Sequence, residues 1–133
     1  MELPDSGDAR GSSHSVPAEV FAEGFGLADM HIAAIEPGAV RGNHFHLARR
    51  EILVVIAADR WSLHWDDGAG TPAQRRSFAG PGVVLIRVPI GASHAIRNDG
   101  AVAMRMVGLT DGPYDPDQPD VFPRPVVAVA ATP

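Results

Sequence analysis

Gly38-Ala-Val-Arg41-Gly-Asn-His44-Phe-His46-Leu-Ala-Arg-Arg-Glu51, and later Pro89-Ile-Gly91-Ala-Ser-His94-Ala-Ile-Arg-Asn98, are the stretches from which the chain is read. Successive side chains of a β-strand point to opposite faces, so His44 and His46 project to the same side of one sheet. That is a chelating geometry. Glu51 and His94 complete a set of three imidazoles and one carboxylate. Such a set suits one divalent transition metal, Zn, Fe, Ni or Mn, and leaves coordination positions for water or substrate.

Around these residues run short apolar or alternating segments broken by Gly, Pro and Asp, the spacing of an all-β sandwich or barrel. Strands are expected over Met30–Ile35, Val40–Leu47, Ile52–Ala57, Trp61–Trp65, Gln74–Phe78, Val83–Val88, Ser93–Asn98 and Ala103–Leu109. Between them, Glu36-Pro-Gly38, Asp66-Asp-Gly-Ala-Gly70, Gly80-Pro-Gly82 and Asp99-Gly100 supply residues that accept the dihedrals of tight turns. No segment keeps a helical apolar period, and there is no internal repeat. Antiparallel strands in this order predict a small jelly roll closed into a barrel. Residues 1–16 hold little that can pack and are expected as a disordered leader, 17–127 as the barrel and 128–133 as a C-terminal tail.

The chain resembles the cupin superfamily: Gly38, His44, His46 and Glu51 match its first motif in spacing, and Pro89, Gly91, His94 and Asn98 match its second. Two positions depart from the pattern. Ala58 stands where the first motif closes on glycine, and Gly82 lies one residue too far from Pro89. Asp tolerates a left-handed turn, so a shifted turn is expected at Ala58-Asp59. The resemblance covers most of residues 28–109 and implies a double-stranded β-helix, all-β, with the site inside the barrel. It places Gly42, His44 and His46 on the lumen side of one strand, Glu51, Leu53 and Val55 on the next, and His94, Ile96 and Asn98 on a later one. Histidines without such motif support are more often structural than ligating. His31 and His64 are therefore read as strand positions or pocket walls, and His14 as solvated.

With 133 residues the chain makes one domain. Lys+Arg number 11 against 16 Asp+Glu, a net charge of −5 with no basic stripe, which excludes the electrostatic footprint of a nucleic-acid binder. Every basic residue is arginine, whose fork suits an anionic ligand; GC-rich coding would leave the same bias. The absence of cysteine excludes disulfides and thiolate metal sites and is compatible with a reducing compartment. Met1 to Ser15 has no apolar h-region, and the longest apolar runs are strand-sized, so a cytoplasmic protein without a membrane span is expected. Ile52, Val54 and Ile56 alternate with the lumen residues and leave one strand apolar on both faces. Either the segment Val20–Leu27 or a second subunit must cover them, and a homodimer across this sheet is the expectation.

Arg41-Gly-Asn-His44-Phe-His46 and the later Gly112-Pro-Tyr114-Asp-Pro-Asp-Gln-Pro-Asp-Val-Phe122 resemble the cupin domain at the C-terminal end of bacterial capsular-polysaccharide sugar-nucleotide enzymes. More distantly, Arg-Gly-x-His is similar to the sugar-nucleotide 3,5-epimerases and 3,4-ketoisomerases. In those metal-free relatives the histidine at the position of His44 is a base, whereas here it belongs to a full ligand set. The resemblance implies metal-assisted enolisation of a nucleotide-linked keto-sugar by an epimerase or isomerase, with a small-molecule substrate in the barrel. It gives catalytic places to Arg41, on a phosphate or carbonyl-bearing ligand, and Tyr114, as an acid at the barrel mouth. Strict alternation instead turns Arg41 away from His44, and Tyr114 can equally pack on the tail. Two other classes use the same residues: a non-haem iron dioxygenase acting on a small organic substrate, and a small-molecule-binding barrel without turnover.

Overall fold

A computed structural model describes residues 1–22 and 24–129. It contains ten strands: β1 (Glu2–Leu3), β2 (Asp29–Ile35), β3 (Val40–Phe45), β4 (Glu51–Ala57), β5 (Trp61–Trp65), β6 (Gln74–Phe78), β7 (Gly82–Val88), β8 (His94–Asn98), β9 (Met104–Thr110) and β10 (Phe122–Pro123). One 3-10 turn, Ala18–Phe21, precedes β2. No helix among the described residues is long and apolar enough to cross a membrane. The strands form two antiparallel five-stranded sheets, ordered β1-β7-β4-β9-β2 and β10-β3-β8-β5-β6, and the expected all-β double-stranded barrel is the fold.

Alternation sets the interior. Leu53 and Val55 of β4, Trp61 of β5, Ile96 of β8 and Met104 and Met106 of β9 meet between the sheets with Ile35, Phe78, Val84 and Val88. The outer face of β4 is covered by the chain itself. Leu3 and Val20 bury against Ile52 and Leu85, flanked by Val16, Phe25, Val54 and Leu109. This removes the premise of a dimer across Ile52, Val54 and Ile56, since only Ile56 of the three stays exposed, at 47%.

Three further expectations are corrected. The leader over 1–16 is not free: β1 pairs with β7 through Glu2 opposite Val84 and Leu3 opposite Val83. Leu3 is 5% exposed, and the half-buried His14 ring, expected in solvent, bonds through Nδ1 to the Leu3 carbonyl at 3.0 Å. The edge of β7 and the apolar face beside it supply partners that the polar leader does not show by itself. The turn at Ala58-Asp59 is not left-handed, as neither residue has a positive φ. The Asp59 carboxylate closes it instead by accepting the amides of Arg60 and Ala101, both at 2.8 Å. Of the expected tail 128–133, only Ala128 and Val129 lie among the described residues.

Candidate metal centre

The strand carrying the histidines is built around an irregularity. In the pairing of β3 with β8, Arg41 lies opposite Ile96, Gly42 opposite Ala95 and His44 opposite His94, so Asn43 is an extra residue. Gly42 has φ 116°, and a Cβ there would stand 2.4 Å from the His94 carbonyl oxygen, which leaves glycine as the residue that fits. Asn43 takes φ 60°, a conformation that Asn tolerates. Its side chain stitches the bulge to the C-terminal segment, donating to the Val127 carbonyl at 3.0 Å and accepting the Val126 amide at 2.8 Å.

One inserted residue reverses the parity of everything before it. Arg41 therefore shares the lumen face with Ile96, and Gly42 keeps its expected place in the cavity wall. Arg41 is exposed at the cavity rim, where its Nε donates to the Ala34 carbonyl of the other sheet at 2.9 Å.

His44 and His94 come from one sheet, Glu51 from the other, and His46 from the turn beyond β3. The ligand atoms of these four residues all lie within 4.8 Å of one another. Glu51 Oε1 is 3.1 Å from His94 Nε2 and 3.6 Å from His46 Nε2. Neither contact has hydrogen-bond geometry: the buried His46 Nε2 and Glu51 Oε1 are both without a hydrogen-bond partner. Buried polar atoms are nearly always paired, so unpaired lone pairs converging on one point fit a cation.

The protonation states of His44 and Glu51 agree with that fit, while that of His46 opposes it. Burial lowers the His44 pKa to about 4, helped by the neighbouring His94 and His46, so this ring is neutral at pH 7. Burial raises the Glu51 carboxyl, but the adjacent His46 and His94 imidazoles outweigh it and hold the group well below the usual carboxylate range. Burial also opposes protonation of His46, while Glu51 and the Asp120 carbonyl prevail and raise its pKa. A charged carboxylate and a neutral His44 are the forms a cation requires of those ligands.

Two residues around the cluster escaped the sequence reading. The carbonyl of Asp120, an acceptor only, receives the Nδ1–H of His46 at 2.7 Å and so leaves Nε2 as the ligating atom. The Asp120 carboxylate takes the amides of Leu47 at 2.8 Å and Ala48 at 3.1 Å, clamping the turn that follows His46. Arg49, 8% exposed, lines the same cavity. Neither could be paired with its contacts from sequence, because His46 and Asp120 are 74 positions apart. The Gly112–Phe122 segment carried the only signal, as a match to family sequences.

All four candidate ligands, Arg41 and Tyr114 line one cavity of about 630 Å³, with Leu53, Ile96 and Met106 among its apolar walls. Tyr114 is 57% exposed. His31 is also part of the wall, lying over Gly108, whereas His64 is a buried strand residue bonded to Ser62 Oγ at 2.9 Å. The volume is that of an ordinary small-molecule site.

Solved structures share this fold. CapF, a capsular polysaccharide assembling protein from Staphylococcus aureus, superposes with a TM-score of 0.66 at 22% identity over 92% of this chain, which spans 34% of the length of CapF. NovW, a 4-keto-6-deoxy sugar epimerase from Streptomyces spheroides, gives 0.69 at 19% identity over 87% of this chain and 64% of its own. A dTDP sugar isomerase from Desulfovibrio desulfuricans gives 0.73 at 14% identity over 98% of this chain and 87% of its own. No curated protein matches the sequence. The model of the polysaccharide biosynthesis C-terminal domain matches residues 8–122, nearly all of the barrel together with Asp120, and the chain belongs to that cupin family.

Proposed function

We propose that the barrel holds one divalent transition metal on His44, His46, Glu51 and His94 and epimerises or isomerises a nucleotide-linked keto-sugar through an enolate. The observation that carries this reading is the convergence of unpaired His46 Nε2 and Glu51 Oε1 at a cavity that Arg41 and Tyr114 also line. When bound, a cation with an open position supplies Lewis acidity toward a ligand carbonyl. The chain's own residues do the rest. Leu53, Ile96 and Met106 exclude water, so charge developing on the ligand is met by fixed groups in a poorly solvated space. Arg41, turned to the lumen face by the bulge, is placed for a diphosphate at the rim. Tyr114 Oη at the mouth can give a proton to, or take one from, the carbon next to the carbonyl. Fold neighbours that act on 4-keto-6-deoxy and dTDP-linked sugars support the substrate class.

The same proposal includes a cytoplasmic location, consistent with a chain free of cysteine. It also includes a homodimer, now on other ground: edge strand β2 leaves Met30 and Ile32 exposed at 56% and 67%, an uncovered apolar edge that a second copy's β2 can pair. A monomer by light scattering at tens of micromolar removes the dimer.

The chemistry is tested in deuterated water. With a nucleotide-linked 4-keto-6-deoxyhexose, deuterium is expected at the carbon adjacent to the carbonyl, and a chelator is expected to stop its uptake. No exchange with any keto-sugar, together with iron in the site and oxygen uptake on a small organic substrate, moves the assignment to the dioxygenase class. Ligand binding with neither activity leaves a binding barrel.

A further inference from the structure

Arg49 brings a positive charge into the wall of the cavity that holds the histidine–glutamate cluster. Its side chain is 9% exposed, yet little satisfies it. Nη2 donates to the Pro119 carbonyl at a long 3.3 Å, and the buried Nε has no hydrogen-bond partner. The carboxylate of Asp120 stands 3.9 Å from Nε, and its oxygens are already engaged by the Leu47 and Ala48 amides.

Arg124 shows how a structural arginine is held in this molecule. Its Nε and Nη2 each donate to Asp66 at 2.7 Å, and Nη2 also reaches the Gly91 carbonyl at 2.6 Å. A buried cation lacking that treatment carries a large desolvation cost, and its planar fork of N–H donors matches the paired oxygens of a carboxylate or phosphoryl group.

We propose that Arg49 is the receptor for an oxyanion, carboxylate or phosphoryl, on the molecule that occupies the cavity over the cluster. This rests on the cavity being a ligand site, as the isomerase reading also requires, and not on the reaction. It sets the anion of the ligand against the inner wall, apart from any phosphate that Arg41 meets at the rim.

The test is calorimetric titration of the full chain with dTDP, inorganic phosphate and oxalate, with thymidine as the neutral control. At least one anion is expected to bind the wild type. Arg49→Gln should weaken it by about tenfold or more, as loss of a charged hydrogen-bond donor does, and Arg49→Lys should retain part of the affinity. Response to dTDP and phosphate names a phosphoryl group; response to oxalate names a carboxylate. Absence of anion binding by the wild type overturns the proposal. So does Arg49→Gln binding the anions as the wild type does, which would place them on the metal or the rim. If Arg49→Gln does not fold, the Arg49 Nε–H resonance of the wild type decides: it should move when the responding anion is added, and an unmoved resonance overturns the assignment. Failure of the isomerase reading is separate, appearing as no deuterium uptake with anion binding intact.

Discussion

The two ends of the barrel interior are built from the same strands and treat buried polarity in opposite ways. At the end reached by Ala57 and Asn98, Trp61 stacks on Phe78 with ring centroids 4.2 Å apart and planes 7° from parallel. Asn98, 2% exposed, donates to the Ile35 and Val102 carbonyls at 2.8 Å each and accepts the Gly100 amide at 3.0 Å. At the other end, Glu51 and His94 begin those strands, and His46 Nε2 and Glu51 Oε1 are buried with no hydrogen-bond partner. The difference separates motif residues by role. Asn98, which fits the same motif as His94, is a satisfied structural residue, while the unsatisfied atoms mark the site. A fold tolerates such unpaired atoms in one place when packing elsewhere carries the stability.

The largest expected effect strikes the end that holds Trp61 and Asn98. Trp61→Ala should cost about 3–5 kcal/mol in denaturant unfolding, the usual loss for a buried tryptophan, with metal per folded molecule unchanged. A loss under about 1 kcal/mol would show that this end does not carry the fold.

The end that holds the histidine–glutamate cluster should behave in reverse. His94→Ala removes a ligand contributed by β8 and is expected to weaken metal retention by well over tenfold, measured by competition with a chelating dye, while stability without metal changes far less than in Trp61→Ala. Unchanged metal stoichiometry and affinity would sink the site as drawn.

The smallest effect sharpens the boundary between the two ends. Asp120→Ala keeps the carbonyl that receives His46 Nδ1–H but removes the carboxylate that holds the Leu47 and Ala48 amides, so it should weaken metal binding by about tenfold or less, through a looser His46 alone. Asp120→Asn keeps an acceptor oxygen and tolerates the φ of 49°, so it should recover most of that loss. Equal affinities in all three proteins would reduce Asp120 to a loop residue.

Much of this molecule is legible along the chain, because period-two alternation and turn residues act over a few neighbours. All eight expected strands are present within one or two residues of their ends, and the spacing of His44, His46, Glu51 and His94 brings together four residues that do meet. The strands that were missed, β1 and β10, have two residues each and form only against an edge already made by β7 or β3. Other features depended on residues far apart in sequence. The face of Arg41 was decided by a bulge, which is a property of the register between β3 and β8 and not of either segment alone. The cover over Ile52 comes from Leu3 and Val20, and the partners of His46 and Arg49 come from Pro119 and Asp120, some seventy positions away. A local pattern specifies which way a side chain points and which residue types could bind a metal. Only closure of the barrel decides which distant carbonyl orients a histidine and which buried arginine keeps an unsatisfied Nε.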